Sequence, residues 1–405
     1  MILVSQNPLQ ESAEDDVSSL AQEYAPASSW RVVPLGGLGD LYGGSTPSTQ
    51  VVEYWDGDIP WLTPSDISNA TSMFVSRTKR TITKQGLLKS TTKLLPAGTV
   101  LVTSRATIGE VAINTVEMTT NQGFINVVCH KDLVFNEWLA YWIKQNKKIL
   151  EQRGHGSTFK EISKSSFKSV PVLLPSLPEQ HGIVTALRPV RDCIRFRHCE
   201  VVLEREWRAA LMHHLFTNGI RDDSTDWVET TLGEVIILQR GFDLPAKDRE
   251  PGRIPIVSSS GITGTHSEAK VQGPGVVTGR YGTIGQVFYV EEDFWPLNTT
   301  LYVRDFKGND PLFTSYLLRT LDFESRNDKT SVPGVNRNHL HMIGVRLPPL
   351  PEQREIASVL SACDRYIASL EREISLLEEL FRGLLEELMA ARLSSVPLIA
   401  VEDTR

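Results

Sequence analysis

The sequence predicts an α+β fold: two homologous mixed α/β domains separated by two long antiparallel coiled-coil helices, the product of an internal duplication. Three observations lead there. The phrase "LPSLPEQHGIVTAL" from Leu174 returns as "LPPLPEQREIASVL" from Leu347. The short apolar runs that precede each copy come in the same order. Each copy then opens a long amphipathic stretch, more helix than the core of a small domain needs.

Residues 1–29 are acidic, polar and aperiodic, and read as a mobile tail. A first domain spans 30–176, from "WRVVPLGGLGDLYGG" to "SVPVLLP", and a second spans 221–347, from "WVETTLGEVIILQRG" to "IGVRLPP". Inside them "IPWLTPSDI" answers "IPIVSSSGI", and "PAGTVLVTSRATIGEVAI" answers "GPGVVTGRYGTIGQVFY", strands running into Ser/Pro or Gly turns. "FNEWLAYWIKQ" and "DPLFTSYLLRT" are matching amphipathic helices. The offset between copies falls from 195 at the "IP" strands to 176 at "TIG" and 173 at "LPEQ". The first copy therefore carries roughly twenty extra residues between Asp66 and Pro96, a variable segment on a shared frame.

The spacer helices occupy 177–220 and 348–392, with a tail over 393–405. Proline near each helix start suits the first turn, where its missing N–H has no partner to lose, and Glu352 suits the positive end of the helix dipole. In the second spacer Ile356, Leu360, Cys363, Ile367, Leu370, Ile374, Leu377, Phe381, Leu384 and Leu388 alternate spacings of four and three, a coiled-coil seam. The equivalent seam in the first helix has charges at Arg197, Glu204 and Arg208. Leu203, Trp207 and Phe216 offer an apolar face rotated from it. Pairing of the two helices within the chain makes them a rigid strut, whose length sets the distance between the domains.

The net charge of −7 argues against a nucleic-acid partner until its distribution is considered. Residues 1–29 and 352–405 each carry a net −5, which leaves +3 for the remainder. From Met73 to Gly109 lie Arg77, Lys79, Arg80, Lys84, Lys89, Lys93 and Arg105 without one acid. Solvated lysines serving solubility are the bland alternative. Residues 221–350 sum to −3, which supports a rival reading as a structural or adaptor protein with duplicated protein-binding domains. No run of eighteen apolar residues is present, and neither is a basic-then-apolar N-terminal leader. Cys129, Cys193, Cys199 and Cys363 are scattered, as expected of reduced thiols in a cytoplasm.

Signatures of catalysis are missing. No GK[ST] loop, GxGxxG fingerprint, HExxH or GxSxG elbow occurs, and His198, Cys199 and Cys193 match no familiar zinc spacing. His213 and His214 read as surface or seam residues. A standalone nuclease or methylase is disfavoured on these grounds.

The two "LP.LPEQ" boundaries with their long helices, "IPWLTPSDI" and the paired "R..TIG" turns together resemble the specificity subunits of Type I restriction–modification systems, over nearly the whole chain after residue 29. The resemblance implies two target recognition domains, each reading one half of a bipartite, asymmetric DNA site. It implies a non-catalytic chain that binds no cofactor itself and docks two modification (methyltransferase) subunits carrying S-adenosylmethionine. Restriction subunits using ATP and Mg would complete the nuclease. Expected partners are thus double-stranded DNA and those subunits, with no membrane. On that reading the DNA contacts of the first domain are Arg77, Lys79, Arg80, Lys84, Lys89, Lys93 and Arg105. Those of the second come from Ser258–His266, the Arg280–Tyr281 turn and "SVPGVNRNH", with Ser259, His266, Arg280, Tyr281, Asn336 and Arg337 as candidates. Asn336 and Arg337 have the alternative of capping the local turn.

Overall fold

A computed structural model describes residues 30–68, 72–156, 160–220, 226–323 and 334–393. The expected tail at 1–29, and all of the one at 393–405 except Leu393, lie outside the described residues. The chain divides into two compact units, residues 1–198 with 373–405, and residues 199–372. Each unit joins one globular domain to the parts of both long helices that pack on it.

The first unit's elements run β1 (Arg31–Pro34), β2 (Gly39–Gly43), β3 (Trp55–Leu62), α1 (Pro64–Ser68), β4 (Phe74–Val75), β5 (Arg80–Ile82), α2 (Lys84–Leu88), β6 (Val100–Thr103), β7 (Val111–Asn114), β8 (Thr119–Thr120), β9 (Phe124–Cys129), α3 (Asn136–Gln145), α4 (Lys147–Gln152), α5 (Lys164–Lys168), β10 (Pro171–Leu174) and the first part of α6 (Leu177–Asn218). Strands β1 and β10 pair antiparallel, closing the domain's two ends on each other. A five-stranded sheet has the order β2-β9-β6-β7-β4, and a three-stranded sheet the order β5-β3-β8. Strands β6, "VLVT", and β7, "VAIN", are buried along their whole length, which is why they read as continuous apolar runs without alternation. Trp138, Leu139, Trp142 and Ile143 of α3 fill the core beside Ile183, Val184 and Leu187 of α6.

The second unit repeats this plan with β11 (Val228–Thr231), α7 (Leu232–Val235), β12 (Ile237–Arg240), β13 (Ile254–Ser258), β14 (Gly261–His266), β15 (Gly275–Gly279), β16 (Val287–Val290), β17 (Trp295–Pro296), β18 (Thr300–Asp305), α8 (Pro311–Arg319), α9 (Arg337–His341), β19 (Gly344–Leu347) and most of the first part of α10 (Leu350–Met389). Here β11 pairs with β19, the larger sheet is β12-β18-β15-β16 and the smaller β14-β13-β17. The parallel contact β3·β8 recurs as β13·β17. The duplication is therefore topological as well as verbal. The extra residues of the first copy fall mainly at 63–79, between β3 and β5, where the second copy has only Ser259 and Ser260. They form α1 and β4, and β4 adds a parallel edge strand to β7.

The repeated "LPEQ" works through its glutamine. Gln180 is fully buried; its Nε2 donates to Pro175 O at 3.0 Å and Leu133 O at 3.1 Å, and its Oε1 accepts from Phe135 N at 2.7 Å. Gln353 repeats the pattern on Pro348 O, Asn309 Oδ1 and Asp310 N. Each buried amide thus satisfies the loop that leads into the domain's amphipathic helix, and locks the long helix to it.

Inside each unit α6 and α10 pack antiparallel along the expected seam. Ile356, Leu360, Cys363, Ile367 and Leu370 are buried in the second unit, and Ile374 and Leu388 in the first. The polar seam positions of α6 do not turn away from α10. Arg197 Nε meets Glu373 Oε1 at 3.0 Å, and Arg208 Nε meets Asp364 Oδ1 at 2.6 Å. Of the rotated face, Phe216 packs inward, stacked on Phe313 at 5.3 Å, whereas the rest is corrected: Leu203 and Trp207 are 64% and 54% exposed, because long arginine stems fill the seam and reach the acids of α10. Helix α6 stops at Gly219, whose φ of +77° gives a left-handed cap bonded to Leu215 O.

Candidate nucleic-acid interface

In the first unit Arg77, Lys79 and Arg80 lie on the segment entering β5, all exposed. This segment is anchored. Thr78 Oγ1 accepts from Trp61 N at 3.1 Å and donates to Arg80 O at 2.6 Å. Asp66, the acid of "TPSDI", accepts from Lys79 N at 3.0 Å and from Thr63 N at 2.8 Å. That carboxylate is spent on backbone amides, which leaves the side chains of the stripe to face outward. The Arg80 guanidinium stacks 3.6 Å above the Trp55 ring. Among the described residues none of Arg77, Lys79 and Arg80 forms an ion pair with a carboxylate.

Lys84, Lys89 and Lys93 are also exposed, on α2 and the loop after it. Thr83 caps α2 by accepting from Gly86 N. Lys84 shares a shallow hollow with Asp58 and Glu117, so the acid-free stretch of sequence acquires acids in space. Arg105 does too: its Nε lies 2.8 Å from Glu161 Oε1, both side chains 46% exposed.

The "R..TIG" turns correspond differently from their spelling. Ser104 N donates to Gly123 O and Ser104 O accepts from Ile162 N, while Arg280 N donates to Thr299 O and Arg280 O accepts from Val335 N. Ala106 and Gly282, with φ of 61° and 78°, occupy the same left-handed post. Arg105 therefore stands where Tyr281 stands, and Arg280 where Ser104 stands. The one-residue difference between "RATIG" and "RYGTIG" shifts the arginine along the turn.

In the second unit three candidate segments converge. A Cβ added at Gly279 or Gly282 would lie 3.3 or 3.4 Å from the Ser259 side chain, so the β13–β14 and β15–β16 turns lie against each other. Tyr281 lies across from Gly334, and a Cβ there would sit 2.3 Å from the Tyr281 ring. Arg280 Cζ lies 4.5 Å from the Tyr281 ring centroid. Ser259, Arg280, Tyr281 and the start of "GVNRNH" thus form one surface; Ser331 to Pro333 lie outside the described residues.

Two candidates change character. His266 is 5% exposed, edge-on to Trp295 at 5.0 Å, and its Nδ1 accepts from Glu250 N at 3.0 Å. It is a core residue and leaves the set of DNA contacts, because the hairpin folds this strand end inward. Asn336 is exposed but caps α9, accepting from Asn338 N at 3.0 Å. Arg337, next in the chain, is exposed. His341 on the same helix is held below the ordinary histidine range by burial and by the charges of Arg337 and Lys307. Sequence reasoning overlooked Trp55 and Trp61 as partners of Arg80. Their shared strand parity was visible, but the register with β5 was not.

Comparison with known proteins gives a consistent result. The pattern of the family described as "Type I restriction modification DNA specificity domain" matches residues 27–200 and 224–379. The MjaIX specificity subunit of a Type I restriction enzyme from Methanocaldococcus jannaschii is 35% identical over 246 residues, 56% of this chain and 57% of that protein. The EcoprrI specificity subunit from Escherichia coli is 25% identical over 361 residues, 82% of this chain and 87% of that one. The fold is similar to the crystal structure of a Type-I restriction-modification system S subunit from M. genitalium, with a TM-score of 0.62 at 17% identity over 90% of this chain and 97% of that one.

Proposed function

The chain belongs to the Type I restriction-modification DNA specificity family, and from that premise we propose that it is the sequence-reading subunit of such an enzyme. Each globular domain reads one half of a bipartite double-stranded DNA target. The observation that carries this reading is the duplicated frame with basic residues on its connecting segments. Both units carry, on the same topological frame, basic side chains on segments tied down by backbone hydrogen bonds, where such side chains can position the chain on phosphates and reach base edges. In the first unit these are Arg77, Lys79 and Arg80, exposed on the segment entering β5; in the second they are the half-buried Arg280 and the exposed Arg337.

In this reading the chain is non-catalytic. Two modification subunits supply methyl transfer with S-adenosylmethionine, and restriction subunits using ATP and Mg supply translocation and cleavage. In the second unit α6 offers a docking face for a modification subunit: Leu203 and Trp207, one helical turn apart, stand exposed on it. Exposed aromatic and aliphatic side chains one turn apart fit a helical partner. Among the described residues no helix is long and apolar enough to cross a membrane.

Methylome sequencing of a host carrying this chain with its modification subunit is the direct test. It should return a two-part motif with an unspecified gap. The adaptor alternative makes a different forecast: it has no steep loss of duplex affinity with salt, whereas phosphate contacts impose one.

A further inference from the structure

Arg80 differs from the other exposed bases of the first unit in how firmly it is held. Trp55 and Trp61 are 6% and 5% exposed and meet edge-to-face at 4.9 Å and 85°. Neither ring can swivel freely, since Trp55 Nε1 donates to Ser48 O at 3.1 Å and Trp61 Nε1 to Ser45 O at 3.0 Å. In the β3–β5 register Arg80 lies opposite Trp61. Its guanidinium carbon sits 3.6 Å over Trp55 and 5.7 Å from Trp61. Thr78 and Asp66 fix the backbone on the N-terminal side, as described above.

Stacking uses the face of the guanidinium and leaves its in-plane N–H edge open. A planar donor edge, pre-ordered and presented to solvent, matches the two acceptors O6 and N7 that guanine displays in the major groove. Phosphate contacts need no such order, because a flexible cation finds an oxygen from many directions. Arg77 and Lys79 flank Arg80, and neither has an aromatic support among the described contacts. Resting on the recognition reading above, we infer that Arg80 is a specificity-determining residue, reading a guanine in the half-site of the first domain. Trp55 acts as the positioning shelf.

The rival role is a lid that merely covers two tryptophans. Lysine separates the roles: it keeps the charge and an aliphatic cover over the rings but lacks the planar fork. The experiment selects duplexes from a randomised library with the full-length chain bound to its modification subunit, comparing wild type with Arg80→Lys and Arg80→Ala. Thermal midpoints are measured alongside. Both variants should lose preference for G·C at one position of one half-site, by about tenfold or more, with the other half-site untouched. Arg80→Lys should keep its thermal midpoint and its affinity for non-specific duplex. An Arg80→Lys variant with the wild-type preference at every position overturns the inference. So does a uniform loss of affinity with no positional change, which marks a phosphate contact. If Arg80→Ala fails to fold, the lysine variant still decides. A wild-type chain that selects no sequence would instead overturn the recognition reading itself, and this inference with it.

Discussion

The indole N–H of Trp227 donates to Glu352 Oε2 at 3.0 Å, tying the first residues of the second domain to the first turn of α10. Trp30 and Glu179 repeat the bond at 3.2 Å in the first unit. Trp227 is 7% exposed, and the other oxygen of Glu352 accepts from Ile220 N at 3.1 Å. Glu352→Ala should therefore strand a buried indole N–H and destabilise the second unit by about 1–3 kcal/mol. Glu352→Gln, which keeps an acceptor, should cost less. Urea unfolding followed by tryptophan fluorescence measures both, and equal losses would remove the indole bond as the cause.

Asp364 gathers three partners. It accepts from Arg208 Nε at 2.6 Å and from the Tyr316 hydroxyl at 2.7 Å, and Arg319 approaches to 3.5 Å. Burial, then Asp364 itself, raises the Tyr316 pKa, which keeps that hydroxyl a donor. Because Asp364 is 38% exposed, solvent screens part of the loss. Asp364→Ala should cost about 1–2 kcal/mol and Asp364→Asn less, since the amide oxygen still serves Tyr316. Denaturant midpoints of the two variants test the order.

Arg77 and Lys79, exposed beside Arg80, are assigned to phosphates. Replacing both by Ala should weaken binding to all duplexes alike and reduce the slope of log affinity against log salt by about 2. The half-site sequence should stay as it was. Titrations at several salt concentrations provide the slope, and an unchanged slope rejects the assignment.

His341 Nε2 accepts from Leu238 N at 3.0 Å, a bond that needs the neutral ring. Its pKa is lowered in the folded state by burial first, and then by Arg337 and Lys307. The unfolded chain therefore binds the proton more readily than the folded one. The stabilisation is complete above the ordinary histidine value of about 6.5 and is lost as pH falls below it. Thermal midpoints of wild type between about pH 7 and 5 should fall more steeply than those of His341→Gln. Parallel curves would show that another group governs the slope.

Gly334 faces Tyr281 so closely that a methyl group would meet the ring at 2.3 Å. Gly334→Ala should displace the Arg280–Tyr281 turn and degrade recognition of the second domain's half-site by tenfold or so, on the scale of a lost base contact. The first half-site should survive. Methylome sequencing of the variant distinguishes this from a general loss, which would affect both halves.

The internal duplication, the two long helices and the seam of α10 were legible in the sequence because each rests on local chemistry. Proline at a helix start and apolar residues at spacings of four and three report the helix whatever it packs against. Buried runs such as "VLVT" declare central strands for the same reason. The site was less legible, since its contacts join residues far apart in the chain. Glu161 reaches Arg105, and Gly334 reaches Tyr281, across stretches whose length carries no signal. Whether a histidine such as His266 faces solvent or the core depends on one step of hairpin register, which composition does not encode. Only the tertiary structure decided that Arg105 matches Tyr281 rather than Arg280, that α6 fills its seam with arginine, and that Arg80 rests on Trp55. Each of these is a pairing between separate segments, and pairing is set by the packing of the whole domain.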